Sequence, residues 1–239
     1  MLFLTVPTAG TRNELLQALL AESGLPAERV IVIATQPNID LPAGCTVIED
    51  FGPVNIQRWW LKGIEEAVAR GALAVAVSND DVSIDTNTLP HLLYALRSTG
   101  AAIASPARVD KKPGLHRGRL LPYSPVMWGS LWLLDPSSGL RPNPQYRWWY
   151  GDNDLDIRAR RDYSGVVSVP AYFEHRNSGE ATGTSSHLQE LAAGDRQKFE
   201  SDYRRLVWMS HKVRVVRNRS HRILRPFSSS HTDSSLQDR

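Results

Sequence analysis

The sequence predicts an α/β protein whose mostly parallel, Rossmann-like sheet is flanked by helices and followed by a basic helical extension. Three observations carry this. β-Branched runs alternate with helical stretches through the first hundred residues, the pattern of βαβ units. One run, "ALAVAV", is wholly apolar and leads directly into "SNDD", as a strand buried on both faces does when it reaches a sheet edge. Beyond residue 186 the apolar runs give way to a basic segment with helical character.

Taken in order, residues 2–7 form a short apolar strand ended by Pro7. Residues 11–24 read as a helix, with Thr11 as N-cap, Glu14 three positions on, leucines at helical spacing and Gly24 as the stop. A β-branched strand at 29–35 runs into the turn Gln36-Pro37-Asn38, and 45–50 is a further short strand. A helix spans 55–71, the apolar strand 72–82 follows, then a helix at 89–100 and a strand at 101–108. Residues 108–128 read as a basic loop rich in Pro and Gly. A strand at 129–135, a helix at 152–165 closed by Gly165 and a strand at 166–175 ending on His175 come next. Residues 186–223 read as helical, and 227–239 are too polar to bury and are expected to be disordered. The expected organisation is one α/β domain over 1–185, a helical extension over 186–226 and a tail over 227–239.

Composition excludes several classes. With 41% hydrophobic and 22% charged residues the chain is of globular type. The single Cys45 rules out an internal disulfide and any multi-cysteine zinc site, and fits a reducing, cytoplasmic setting. "MLFLTVPTAG" has no basic leader before its apolar run and is far too short to span a bilayer. The net charge of +3 is unevenly spread. Residues 196–226 carry ten Lys or Arg against two acids, so the preceding body is mildly acidic. A solvated or oligomer-forming helix face accounts for that segment, and so does peripheral contact with the inner face of an anionic membrane; nucleic acid is the weaker reading. No GxGxxG, GxxxxGK[ST] or GxSxG occurs. That argues against a dinucleotide dehydrogenase, a P-loop nucleotidase and an α/β-hydrolase.

Ligands of open parallel sheets bind beyond the carboxyl ends of the strands, which makes "SNDDV" the first candidate site. Asp80 and Asp81 are adjacent carboxylates that suit magnesium or manganese, although Asn and Asp are also ordinary turn residues. The second candidate is "WWYGDNDLDIR". Asp152, Asp154 and Asp156 match the first positions of a calcium loop, but Ile157 stands where that loop needs glycine and Tyr163 where it needs glutamate. As a helix start, the stretch makes Asp152 an N-cap and Asp156–Arg160 an exposed i,i+4 pair. Trp148, Trp149 and Tyr150 just before the acids suit a flat wall for a sugar ring, or core. His175 is either a loop residue or a ligand that joins a carboxylate from another strand end.

In this order "VPTAGTR", "NIQRWWLKGIEEA", "SNDDV", "GSLWLLD", "WWYGDNDLDIRARRDYSG" and the final histidine of "VPAYFEH" resemble the GT-A glycosyltransferases of family 2, of the rhamnosyl- and galactofuranosyl-transferase kind, over roughly residues 1–180. The resemblance implies an inverting transfer from a nucleotide-diphosphate sugar to a glycan, lipid-linked or protein acceptor, aided by Mn2+ or Mg2+. It implies Asp81 and His175 as metal ligands, with Asn79 and Asp80 beside the ribose and phosphates. It implies Asp152 as general base and Asp154 as hydrogen-bonding partner of the base or acceptor. Pro7, Thr8 and Arg12 would line the nucleoside pocket, Gln36 the nucleobase edge, and Asn55, Trp59 and Lys62 would face the nucleotide. Gly129 opens the strand before the acceptor loop, and Trp149 belongs to the aromatic block. Gly151 stands where the family usually carries the first acid of its pair. The competing readings are a non-catalytic GT-A-like binding protein with a membrane- or nucleic-acid-contacting tail, and a nucleotidyltransferase, for which "PTAGTR" supplies only part of the glycine-rich basic signature.

Overall fold

β1 (Leu2–Thr8) is buried along its whole length, which only a strand covered on both faces can be. The computed structural model describes residues 1–41, 43–118, 120–176 and 180–223; the 227–239 tail and the last residues of the 196–226 segment lie outside these. β1 lies between β2 (Val30–Ala34) and β4 (Ala74–Ser78), parallel to both, and β3 (Thr46–Glu49) extends the sheet beyond β2. On the other side of β4 come β8 (Leu131–Leu134), antiparallel to its neighbours, then β6 (Ile103–Pro106), β9 (Val166–Val169) and β7 (Gly114–His116). The sheet order is β3-β2-β1-β4-β8-β6-β9-β7. Successive strands run outward from β1 in one direction to β3, and the chain then crosses back to place β4 on the other side. β1 and β4 therefore flank the switch point at which such sheets bind ligands.

The two faces of the sheet are read alternately by successive residues. Leu2, Leu4, Val6, Val30, Val32, Ala74 and Ala76 pack with Leu16, Leu19 and Leu20 of α1 (Asn13–Glu22) and with Leu89, Leu92 and Leu96 of α3 (Thr88–Thr99). Phe3, Ile31, Ile33, Val75 and Val77 face the other way. There they meet Trp59, Trp60 and Ile64 of α2 (Ile56–Ala69), and Leu155 and Ala159 of α4 (Gly151–Asp162). Each fully buried Val, Leu, Ile or Phe among them contributes about 1.5–3 kcal/mol of burial. α2 comes so close to β1 that a Cβ on Gly63 would stand far inside contact distance of the Thr5 hydroxyl. Trp60 meets Trp132 edge-on at 5.6 Å.

Several expectations are corrected. α1 begins at Asn13, with Arg12 rather than Thr11 in the cap position and no side-chain cap bond. The basic loop contains β7, which closes the sheet edge against β9. The stretch 166–175 is two strands, not one. Pro170, which has no N–H for a ladder, follows Val169 directly. β10 (Phe173–His175) then leaves the main sheet and pairs antiparallel with β5 (Val82–Ile84) in a separate two-stranded ribbon.

The C-terminal segment forms α5 (Glu180–Thr184), α6 (Ser186–Asp202) and α7 (Arg204–Ile223), and its first turns are keyed into the α/β body. Phe199 packs among Tyr123, Tyr146, Tyr150 and Tyr203. The Tyr146 hydroxyl donates to Asp202 at 2.8 Å, and the Tyr123 N–H donates to Ser210 Oγ at 2.7 Å. Among the described residues no helix is long and apolar enough to cross a membrane.

Candidate active site

At the switch point the ends of β1 and β4 are joined by side chains. Thr8 Oγ1 donates to Asp80 Oδ2 at 2.6 Å and accepts from the Gly10 N–H at 3.0 Å. Thr35, at the end of β2, donates its N–H and its hydroxyl to the Thr8 carbonyl. Arg12 Nη1 stands 2.6 Å from Asp81 Oδ2. His175 Nε2 stands 3.0 Å from Asp81 Oδ1, because the β5–β10 register sets His175 opposite Val82 and the Arg176 N–H donates to the Asp81 carbonyl. The structure thus gathers Thr8, Arg12, Asp80, Asp81 and His175 from three separate parts of the sequence.

Burial pushes the Asp81 carboxyl up, but His175 and Arg12 outweigh it and hold the pKa below the ordinary value. Its neighbour goes the other way. Burial, reinforced by the Asp81 charge and opposed by the Thr8 hydroxyl, raises Asp80. The adjacent acids are therefore unequal, one favouring its charge and one resisting it. Beside them the Asn79 side-chain oxygen is buried with no partner among the described residues.

The second half of the site is the mouth of α4. Tyr150 has a left-handed backbone, φ 63°, uncommon for a residue with a side chain, and it occupies the cap position expected for Asp152. Gly151 is pressed against Gln57 of α2, where a Cβ would overlap that side chain. A side chain at this position would have to displace Gln57. Asp152 is then the second helical residue. Its carboxyl abuts Gly129, whose added Cβ would stand 2.8 Å from Asp152 Oδ2, so a side chain there would displace this carboxyl. Burial raises the Asp152 pKa, while the Asn153 N–H, its own N–H and the Arg108 charge oppose the rise.

Arg108, just past β6, is a site residue that the sequence reading did not single out. Its guanidinium lies 4.4 Å from the Trp128 ring centre, a cation–π contact, and Trp128 leans on Phe173 of β10 at 5.4 Å. The available signal was its place beyond an apolar strand on the ligand-binding edge.

Other candidates have different duties. Asp154 is 3% exposed and spends its oxygens on Arg158 at 2.6 Å and on the Tyr203 hydroxyl at 2.6 Å, so it anchors α4 to the C-terminal helices rather than assisting base or acceptor. Asp156 is fully buried, not a surface charge. It pairs with Arg160 at 3.1 Å and accepts the Val126 N–H, and burial raises its pKa to about 6. Asn55 caps α2 through the Arg58 N–H and donates to the Pro144 carbonyl. Trp59 is core. Lys62, with Arg58, pairs with Asp50 beyond β3. None of these three is turned toward the switch point by its contacts. Pro7 sits buried in β1, Gln36 is exposed past β2, and Trp149 is 47% exposed.

The donor set fits a divalent ion that a ligand helps to hold. Two ligands at right angles, each about 2.1 Å from an ion, lie about 3 Å apart. That is the separation of Asp81 Oδ1 and His175 Nε2. Among the described residues no group of three or more His, Cys, Asp or Glu gathers around one point. An ion held there would take its remaining coordination from outside the described residues, as phosphate oxygens and water provide it for magnesium.

No family profile and no curated protein matches the chain in sequence. Solved structures do match its fold. Residues 1–349 of S. aureus TarS superpose with a TM-score of 0.53 at 11% identity, over 84% of this chain and 72% of that one. The same TarS fragment in complex with UDP-GlcNAc gives 0.51 at 13% identity, over 84% and 72%. A longer TarS structure gives 0.54 at 13% identity, and there the match spans only 43% of its length. At these identities the likeness establishes the fold alone: the mostly parallel sheet and its flanking helices have a GT-A-like arrangement, as in TarS.

Proposed function

We propose that the chain transfers a sugar from a nucleoside-diphosphate donor to an acceptor hydroxyl, with inversion at the anomeric carbon. The observation that carries the reading is Asp81 held between Arg12 and His175 at the β1/β4 switch point. A nucleoside docking at the switch point would lie beside the Thr8–Asp80 pair and Asn79, while Arg12 brings a fixed positive charge to the diphosphate. Asp81 and His175 would hold Mn2+ or Mg2+, which serves as a Lewis acid for the departing diphosphate. The fold shared with TarS, solved with UDP-GlcNAc, supports a uridine donor as the first to test. Family-2 membership is part of the proposal and rests on the ordered motifs.

Asp152 takes the proton from the acceptor hydroxyl as it attacks. Burial makes it a stronger base than an exposed carboxylate, and Arg108 keeps its ionised form accessible. Much of the remaining rate comes from orientation between the two halves of the site. Exposed Trp208 and Met209, on α7 with Arg205 and Lys212, support peripheral docking on an anionic membrane face. The lone Cys45 supports a reducing compartment.

The test is titration calorimetry with UDP and GDP, with and without manganese. Nucleotide binding that requires the metal is expected. A chain that binds neither nucleotide under either condition is not a transferase of this kind.

A further inference from the structure

Two unusual sets of bonds converge on the loop that precedes α4. The Asp195 carboxylate of α6, 4% exposed, accepts three consecutive backbone N–H groups. Arg147 donates at 3.0 Å to both oxygens, Trp148 at 2.7 Å and Trp149 at 2.9 Å. Bonds to an ionised acceptor are roughly twice as strong as neutral ones, so the peptide planes of this loop are fixed. Separately, Thr182 Oγ1 of α5 accepts both indole N–H groups, Trp148 at 2.8 Å and Trp149 at 3.2 Å. A hydroxyl has two lone pairs, and both are used.

The outcome is asymmetric. Trp148 packs against the core, while Trp149 remains 47% exposed although its polar edge is tied and its backbone is clamped. Its ring is tilted by 53° to that of Tyr150, at 6.5 Å. An exposed tryptophan held at both ends loses no rotamer freedom when something lies on its face, which removes a usual cost of binding. The electron-rich face of an indole attracts the polarised C–H bonds of a pyranose. Trp149 precedes the proposed base by three positions on a backbone that cannot swing.

Resting on the transfer reading, we infer that Thr182 and Asp195 are positioning residues that hold Trp149 as a stacking platform for a sugar ring of the acceptor. The acceptor is then a carbohydrate, not a ring-free alcohol or a serine of a polypeptide. The segment after residue 180, outside the sheet, thereby determines acceptor class.

The test uses the full chain labelled with 15N, saturated with UDP and manganese, and methyl pyranosides (gluco, manno, galacto and N-acetylglucosamine forms) as probes at millimolar concentration. The Trp149 indole N–H is assigned by Trp149→Phe. At least one pyranoside is expected to shift that resonance. Thr182→Val should weaken its affinity about tenfold and unprotect the Trp148 and Trp149 indole protons against exchange, and Thr182→Ser should restore both. UDP affinity, read by calorimetry on the same samples, should be the same in all three proteins. The inference is overturned if no pyranoside moves the Trp149 signal, or if Thr182→Val leaves affinity unchanged. An indole that responds to pyranosides in a protein that binds no nucleotide would leave the platform standing and remove the transfer reading.

Discussion

His175 Nε2 stands 3.0 Å from Asp81 Oδ1, and the β5–β10 ribbon sets that distance by pairing His175 with Val82. Removing the imidazole should therefore weaken metal binding and also take a partner from the buried Asp81 carboxylate. His175→Ala is expected to weaken manganese-dependent UDP binding by at least about tenfold, with a lower thermal midpoint of the ligand-free protein. EDTA should bring the wild type and the variant to the same weak UDP affinity. Calorimetry with and without chelator checks this.

Asp152→Asn should reduce transfer by about 100- to 10,000-fold and leave UDP binding intact. In the wild type, transfer should fall as pH drops through the pKa of this carboxyl, because only the ionised form accepts a proton. Burial places that pKa above the ordinary 3.8, so the acid limb of the rate profile should lie at higher pH than for an exposed aspartate. A pH–rate profile of kcat/KM measures it.

Asp156 gives stability a pH dependence opposite to that of most acids. Its folded pKa, about 6, exceeds its ordinary 3.8, so the folded chain binds the proton more tightly than the unfolded one. Its stabilising contribution is absent above about pH 6 and grows as pH falls toward 3.8. Between about pH 7.5 and about pH 5 the wild type should gain on the order of 1 kcal/mol relative to Asp156→Asn. Urea unfolding at the two pH values provides the comparison.

Gly63→Ala should destabilise by about 1–3 kcal/mol, since the new methyl would be driven into Thr5 on β1. A lower urea midpoint with an unchanged slope is the expected signature.

Phe199→Ala removes the ring shared by Tyr123, Tyr146, Tyr150 and Tyr203 and should cost about 3–5 kcal/mol. Limited proteolysis should then cut within α6 and α7 at protease levels the wild type resists.

The βαβ order and the switch point between β1 and β4 were legible because each rests on a local pattern. Apolar runs marked β1, β2 and β4, and "SNDDV" had to lie at the edge where β4 stops. What stayed hidden depends on which residues meet across the fold. Spacing alone cannot tell an exposed Asp156–Arg160 pair from a buried one, since the i,i+4 geometry is the same. Nor does it show that Asp154 is claimed by Tyr203 on a distant helix. Lys62 and Trp59 looked like pocket residues by analogy, while their contacts with Asp50 and the sheet are set by how α2 sits on β1. Pro170 was the visible sign that 166–175 is two strands.

The two-stranded ribbon also sets an order of assembly. Thr8, Arg12 and Asp81 are supplied by the first third of the chain, and a nascent polypeptide could bring them together early. His175 reaches Asp81 only after β8, α4 and β9 have been made and β10 has turned back onto β5. The clamp on Trp149 waits longer, for Thr182 and Asp195. The Asp81–His175 pair thus needs the chain made through residue 175, and the clamp on Trp149 needs it through residue 195.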